Sequence, residues 1–167
     1  EVLGSDAGKP EMREISDAIR QGAEAFLARQ YKTIATLSVV AAAAIFGFYF
    51  LNREVPNIAQ MGQGTAWKVT LSFVTGALCS AIAGYIGMFV SIRANIRTAA
   101  AAMTSLNGAL QIALRAGAVS GLFVVAMSLL GVGGLFYFFG GMQDYEHVPL
   151  QIVGFGFGAS FVALFAQ

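Results

Sequence analysis

Four uncharged, strongly apolar stretches, each about as long as a bilayer is thick, constrain this chain more than any other feature. A helix of about 20 apolar residues crosses roughly 30 Å of hydrocarbon, and only helices or closed barrels satisfy their backbone polar groups there. All 19 formally charged residues lie outside these stretches. The sequence therefore predicts an all-α, polytopic transmembrane helix bundle with four spans. The stretches are Thr33–Leu51, Val69–Ile92, Ala118–Gly140 and Val148–Gln167.

The composition excludes an ordinary soluble domain. Charged residues make up 11% of the chain, whereas soluble domains carry about 25%. The net charge of +1 argues against nucleic-acid binding, which relies on many uncompensated Lys and Arg side chains. The polar N-terminal segment shows no signal peptide. Because the chain starts without Met and stops directly after an apolar stretch, we expect it to be a piece of a longer polypeptide.

Helical periodicity continues beyond the lipid on one side. Apolar residues recur with a helical period from Glu11 onward, and no breaker separates them from the first span. One helix over 11–51 would be about 60 Å long. The Pro- and Gly-containing segment Asn52–Gly64 is predicted to be a loop. No separate soluble domain is indicated, and the predicted helices of this single membrane segment are 11–51, 66–95, 98–140 and 148–167.

Basic residues are distributed unevenly between the two sides of the predicted bundle. Eight of the ten Lys and Arg residues fall on the side of the N-terminal segment, and two fall on the other side. The positive-inside rule therefore predicts that both ends of this segment, Glu1 and Gln167, are cytoplasmic. The eight are Lys9, Arg13, Arg20, Arg29, Lys32, Arg93, Arg97 and Arg115, and the two are Arg53 and Lys68.

Small residues four positions apart predict close helix packing. In the second span, Gly76, Ser80 and Gly84 form a stripe that would let another helix approach closely. The stretch from Gly154 to Ser160 superficially matches a dinucleotide-binding loop. That loop needs a strand before it and a helix after it within a parallel sheet, so helix packing is the favoured interpretation of Gly154 and Gly158.

Several polar side chains have both a functional and a structural interpretation. In the functional interpretation, Arg115 contacts an ion pathway or an anionic ligand. In the structural interpretation, which we favour, its side chain snorkels to the membrane interface or forms an ion pair between helices. Arg93 and Arg97 lie one turn apart and would meet phosphate groups of lipid or substrate, with lipid anchoring as the default. His147 has no second His or Cys nearby, so no metal site is expected. The residues alone predict a four-helix membrane segment, part of a transporter.

Five stretches also carry a family resemblance. They are Glu11–Ile34, Arg93–Thr98, Ala113–Val119, Gly154–Ser160 and Ala163–Gln167. Together they resemble the membrane-integral inorganic pyrophosphatases, enzymes that pump protons or sodium ions, and the resemblance covers essentially the whole chain in order. It implies a family fold of about sixteen spans, a homodimer, and a cytoplasmic region where pyrophosphate binds.

The resemblance also implies which part of the family fold hydrolyses pyrophosphate and which part forms the ion pathway. Pyrophosphate hydrolysis would drive proton or sodium translocation, with Mg²⁺ as cofactor. The acidic motif that holds Mg²⁺ in the family follows this segment, so no catalytic or metal-binding residue is expected here. This segment would supply outer helices and one core helix. On that core helix the resemblance assigns Phe157, Ser160 and Gln167 to the ion pathway, although many family members have Arg where Gln167 stands.

Two alternatives remain beside the pump. A non-catalytic tetraspan scaffold predicts that the open reading frame ends near Gln167. A transporter or channel subunit without hydrolysis predicts ion flux that does not depend on pyrophosphate. In each case we expect a multi-pass protein of a bacterial inner membrane or a vacuolar-type membrane, in contact with lipid and with the remainder of the same polypeptide.

Overall fold

The part of the chain that the structure describes forms four long helices and one single-turn helix. The computed structural model describes residues 4, 6–59, 61 and 64–166, and none of these residues forms a strand. The four long helices are long and apolar enough to cross a membrane, which confirms the predicted fold class. The helices are α1 (Pro10–Leu51), α2 (Pro56–Ala59), α3 (Thr65–Ala102), α4 (Leu106–Phe138) and α5 (Val148–Ala166).

The first helix begins at a proline and runs without interruption for 42 residues. Proline suits the first helical position because its fixed φ is helical and its missing N–H would have no partner there. Just before it, Asp6 Oδ1 accepts a hydrogen bond from the backbone N–H of Gly8 (3.1 Å). Gly8 has a φ of 75°, so the chain turns sharply into α1. At 1.5 Å per residue, α1 is about 63 Å long.

The turn between α3 and α4 lies later than the sequence predicts. Predicted helices over 66–95 and 98–140 place the break near residues 96–97, whereas α3 continues to Ala102. Alanine is the strongest helix former, so Ala99–Ala102 prolongs α3 rather than ending it. The next helix begins where the Ser105 hydroxyl accepts a hydrogen bond from the backbone N–H of Gly108 (3.1 Å), which is a helix cap.

A glycine turn ends α4. Gly140 has a φ of 79°, and its N–H donates to the carbonyl of Tyr137 (3.1 Å). The N–H of Gly141 donates to the carbonyl of Phe136 (2.8 Å). This pair of bonds is the Schellman pattern, which satisfies the last carbonyls of a helix and needs a residue that tolerates positive φ.

Contacts divide the chain into two units. The first unit comprises Glu1–Arg29 and Ala83–Val124, and the second comprises Gln30–Ile82 and Val125–Gln167. Small side chains fill the buried positions of the first unit, so its helices pack closely. These positions are Ala83, Ala94, Ala109 and Ala116.

The second unit contains two apolar clusters. One is built by α4, the turn after it and α5, and partly buried Cys79 of α3 packs against it. The other joins Ile34 of α1, Ala77 of α3 and Val162 of α5. The members of the first cluster are Leu135, Phe139, Val148, Ile152 and Phe155. In these clusters α5 packs against residues of α1, α3 and α4. It is therefore the most buried of the long helices.

Candidate functional site

A close helix contact in the second unit joins α3 and α5 through glycines. A Cβ atom added to Gly154 would overlap the carbonyl oxygen of Val69, and one added to Gly158 would overlap that of Phe73. From the other side, a Cβ on Gly76 would overlap the carbonyl oxygen of Phe155. The two helices therefore meet backbone to backbone. This is the geometry that small residues permit in membranes.

The residues predicted to pack are not all used in this contact. Gly76, Gly154 and Gly158 lie in it, whereas Ser80 is partly exposed and Gly84 is exposed. An α-helix turns about 100° per residue, so residues four apart drift by about 40° and residues eight apart by about 80°. Gly84 therefore lies well off the face that carries Gly76.

A buried glutamine ties α5 to the segment before α3. Gln151 is fully buried, and its Nε2 donates a hydrogen bond to the carbonyl oxygen of Met61 (2.6 Å). The Oε1 atom of Gln151 is buried and has no hydrogen-bond partner. Burying an amide oxygen without a hydrogen-bond partner lowers the stability of the folded protein. Nothing in the sequence pattern pointed to this residue, because its partner is a backbone atom 90 positions away.

Two of the three ion-pathway candidates lie on an exposed part of α5, beside its contact with α3. Phe157 and Ser160 are exposed and line one open groove of about 580 Å³ together with Ala41, Ile45 and Phe73. The third candidate, Gln167, lies outside the described residues. The groove walls are mostly apolar, so these helices do not form a polar path for an ion by themselves.

An arginine-rich cavity of about 440 Å³ lies within the first unit. Arg13 and Arg20 of α1 and Arg93 and Arg97 of α3 line it, together with two aspartates. The sequence singled out Arg93 and Arg97 but not their neighbours on α1. Those neighbours come close only because α1 and α3 pack side by side over this part of the chain.

The segment between α4 and α5 contains a short contact between a histidine and a carboxylate. His147 Nδ1 lies 2.7 Å from Asp144 Oδ1, and the backbone N–H of His147 donates to the same oxygen (3.2 Å). The hydrogen bond from the His147 side chain lowers the pKa of Asp144, although partial desolvation opposes the shift. The histidine is therefore engaged by a carboxylate at the start of α5.

The described residues do not provide a magnesium site. Mg²⁺ prefers an octahedral shell of oxygen ligands, usually one or two carboxylates plus water and substrate phosphates. Within the described ranges, no three His, Cys, Asp or Glu side chains come together in a way that would hold a metal ion. The described residues therefore offer Mg²⁺ no grouped set of protein ligands.

Comparison with known proteins gives one consistent result. A model of the family described as inorganic H+ pyrophosphatase matches residues 1–167. The chain is 52% identical over 166 residues to a K(+)-insensitive pyrophosphate-energized proton pump 2 of Moorella thermoacetica, covering 99% of this chain and 22% of that protein.

Two further relatives agree. The chain is 49% identical over 170 residues to a K(+)-insensitive pyrophosphate-energized proton pump of Caldanaerobacter subterraneus, covering 99% of this chain and 24% of the relative. It is 47% identical over 177 residues to the pyrophosphate-energized membrane proton pump 3 of Arabidopsis thaliana, covering 99% and 22%. The chain thus spans less than a quarter of the length of each of these relatives.

Proposed function

The chain belongs to the inorganic H+ pyrophosphatase family, and from this membership we propose that it works within a membrane pump that couples pyrophosphate hydrolysis to proton movement. The observation that carries the proposal is the family match over residues 1–167, joined to four helices able to cross a membrane. The chain is a multi-pass integral membrane protein. Hydrolysis belongs to the complete pump, since the described residues lack an acidic cluster.

In this proposal the chain contributes structure and one side of the ion pathway. The backbone contact between α3 and α5 fixes α5 by Gly154 and Gly158. Phe157 and Ser160, beside this contact, stay exposed and are free to face other helices of the pump. The hydroxyl of Ser160 is a small polar group of the kind that an ion path through lipid requires.

The names of the relatives favour protons over sodium ions. All three relatives described above are named proton pumps, and two of them are named K(+)-insensitive. We therefore propose proton transport that does not need K⁺. Mg²⁺, held by residues other than those described here, would neutralise the charge of pyrophosphate.

Charge supports a cytoplasmic location for the two ends of this segment. Seven of the ten basic residues lie in the first unit, which contains the start of α1, the end of α3 and the start of α4. The basic ends of three helices are thus grouped in one unit, as the positive-inside rule requires. The homodimer stays a proposal that rests on the family resemblance, and chemical crosslinking of the purified protein would test it.

The test uses inverted membrane vesicles that contain the complete protein. Addition of pyrophosphate with Mg²⁺ is expected to acidify the vesicle lumen, read by quenching of a pH-sensitive dye, and to release phosphate at the same time. A protonophore should abolish the quenching, and omission of K⁺ should not change it. Hydrolysis without acidification would contradict the proton pump. Ion flux without pyrophosphate would favour the transporter alternative instead.

Replacement of Ser160 tests the pathway separately from hydrolysis. We expect Ser160→Ala to lower the number of protons moved per phosphate released while hydrolysis persists. Ser128→Ala is the matched control, since Ser128 is an exposed serine on α4. Equal coupling ratios in both variants would place the ion path away from Ser160.

A further inference from the structure

We propose that a groove at the end of α1 binds one phospholipid, phosphatidylethanolamine, by its headgroup and the upper part of an acyl chain. The groove lies in the second unit and is formed by the end of α1, the short helix α2 and the start of α3. Its volume is about 760 Å³, and ligand sites commonly measure about 300–1,000 Å³. Most of the residues that line it are apolar or aromatic, and the charged ones among them are Arg53 and Glu54.

The groove crosses the boundary between hydrocarbon and headgroups. Phe46 precedes Leu51, the end of the first apolar stretch, by five residues, or about 8 Å along α1. Arg53 follows Leu51 by two residues, and Trp67 precedes Val69, the start of the second stretch, by two. The ends of both apolar stretches therefore meet at this groove, and a headgroup layer about 5–8 Å thick begins there. An occupant needs an apolar part on the hydrocarbon side and a polar part on the other, as a phospholipid has.

Exposed aromatic rings form the apolar wall of the groove. Phe46, Phe50 and Trp67 are 42%, 53% and 46% exposed. The rings of Phe46 and Phe50 stack with their centroids 5.8 Å apart, so they present one continuous surface. Tyr49 and Trp67 also line the groove, and such amphipathic rings are enriched at this level of a bilayer. The wall therefore suits the glycerol end of an acyl chain.

The two charged side chains of the groove are paired neither with each other nor with other charged groups. In the part of the chain that the structure describes, Arg53 and Glu54 take part in no ion pair. The Arg53 guanidinium stacks on the Phe50 ring, with its central carbon 5.7 Å from the ring centroid. Stacking of this kind uses the face of the guanidinium and leaves its N–H groups to donate in the plane. One cation and one anion thus stand ready at headgroup level.

A headgroup that carries both a phosphate and a primary ammonium matches this pair of charges. The phosphate accepts two parallel hydrogen bonds from a guanidinium, and the ammonium, two carbons further on, donates to a carboxylate. Phosphatidylglycerol has the phosphate but no cation, so Glu54 would repel it. The quaternary ammonium of phosphatidylcholine has no N–H to donate.

A further helix of the same polypeptide is the competing occupant of the groove. Such a helix would cover the aromatic wall, but it would have to bring both a carboxylate and a cation to headgroup level to satisfy Arg53 and Glu54. Phosphatidylethanolamine brings both charges on one molecule, and the wall and the charges lie in the order in which its chain and headgroup follow each other. Charge complementarity therefore favours the lipid.

The first experiment adds phosphatidylethanolamine with a photoreactive diazirine in its acyl chain to the complete protein in detergent. Light should crosslink the probe to peptides that contain residues 46–50 or 64–67, read by mass spectrometry. Unlabelled phosphatidylethanolamine should compete for these peptides about tenfold more effectively than phosphatidylglycerol, the effect of one hydrogen bond to a charged group. Equal competition by the two lipids would overturn the proposal. Absence of crosslinks at these peptides, as expected if a helix covers the groove, would also overturn it.

Variants then test the two charges separately. Arg53→Gln should lower crosslinking about tenfold, and Arg53→Lys should restore part of it, because lysine keeps the charge but not the planar fork. Glu54→Gln should preserve crosslinking but let phosphatidylglycerol compete as well as phosphatidylethanolamine does.

The matched controls are Lys68→Gln and Glu146→Gln. Lys68 also lies over an aromatic ring, 6.0 Å from the centroid of Trp67, and Glu146 is exposed, but neither residue lines the groove. Both controls should crosslink and discriminate between the lipids as the unmodified protein does. Equal losses in Lys68→Gln and Arg53→Gln, or unchanged lipid preference in Glu54→Gln, would overturn the proposal.

Discussion

Gly158 of α5 lies directly against the backbone carbonyl of Phe73 in α3, with no room between them for a side chain. Gly154 meets Val69 one turn earlier along each helix. The residue numbers of the contacting positions therefore rise in the same direction along both helices. This means that α3 and α5 run parallel where they touch. Such a contact depends on the absence of a Cβ atom rather than on any group that is present.

Gly158→Ala is expected to destabilise the protein. The added methyl group overlaps backbone, which moves less easily than a side chain, and overpacking of this kind costs about 1–3 kcal/mol. Thermal unfolding of the purified protein in detergent measures the change. Gly156→Ala on the same helix is the control, since a Cβ there meets nothing within 4 Å and alanine is the better helix former. Equal loss of stability in both variants would contradict the backbone contact.

Gly140→Ala tests the turn after α4. A non-glycine residue with the φ of 79° found here is strained by about 1–2 kcal/mol, so we expect the free energy of unfolding to fall by about that amount. Gly133→Ala within α4 is the comparison, because a Cβ at Gly133 meets nothing within 4 Å. Unchanged stability of Gly140→Ala would show that this turn does not keep its positive φ.

Acid should weaken the start of α5. The hydrogen bond from His147 lowers the pKa of Asp144 in the folded protein, whereas an unfolded aspartate has a pKa of about 3.9. A lowered folded pKa stabilises the protein above the unfolded value, and this stabilisation is lost as pH falls through the folded value. The unfolding temperature of the unmodified protein should therefore drop more steeply below about pH 4 than that of Asp144→Asn. Glu146→Gln should retain the steep drop, and a steep drop in Asp144→Asn as well would refute this origin.

Cysteine labelling tests the proposed orientation. In a Cys79→Ala background, Glu14→Cys and Gln143→Cys place single thiols at exposed positions before α1 enters the lipid and after α4 leaves it. A membrane-impermeant maleimide should label Gln143→Cys from outside intact cells and Glu14→Cys only in inverted vesicles. Labelling of both thiols from the same face would exclude this arrangement of spans.

The sequence predicts the long helices because their signals are local. Apolar length, Pro10 at a helix start and Gly140 at a helix end each act within a few residues, and α1, the start of α3, the end of α4 and the start of α5 lie within two residues of the predicted positions. The turn after α3 was misplaced by about two turns of helix. In that case a run of alanines continued the helix until the Ser105 cap, and the strength of that cap could not be judged against the alanines beforehand.

The details of packing were not predictable, because they depend on the partner helix. On α5, Gly154 and Gly158 form one small stripe, and Gly156 and Ser160 form another with the same spacing. Local pattern does not distinguish these stripes. The structure buries the first against α3 and leaves the second exposed. The arginine cavity is likewise hidden in the sequence, because Arg20 and Arg93 are 73 positions apart.

The backbone contact between α3 and α5 prevents the two helices from moving closer together. A Cβ atom added at Gly154 or Gly158 would overlap a backbone carbonyl oxygen of α3, so the two helices cannot move closer together. Side chains beside this contact also pack across the two helices, as the rings of Phe73 and Phe161 do with their centroids 5.8 Å apart. Any displacement of α5 away from α3 during a transport cycle would therefore have to separate these rings, whereas inward compression meets hard backbone.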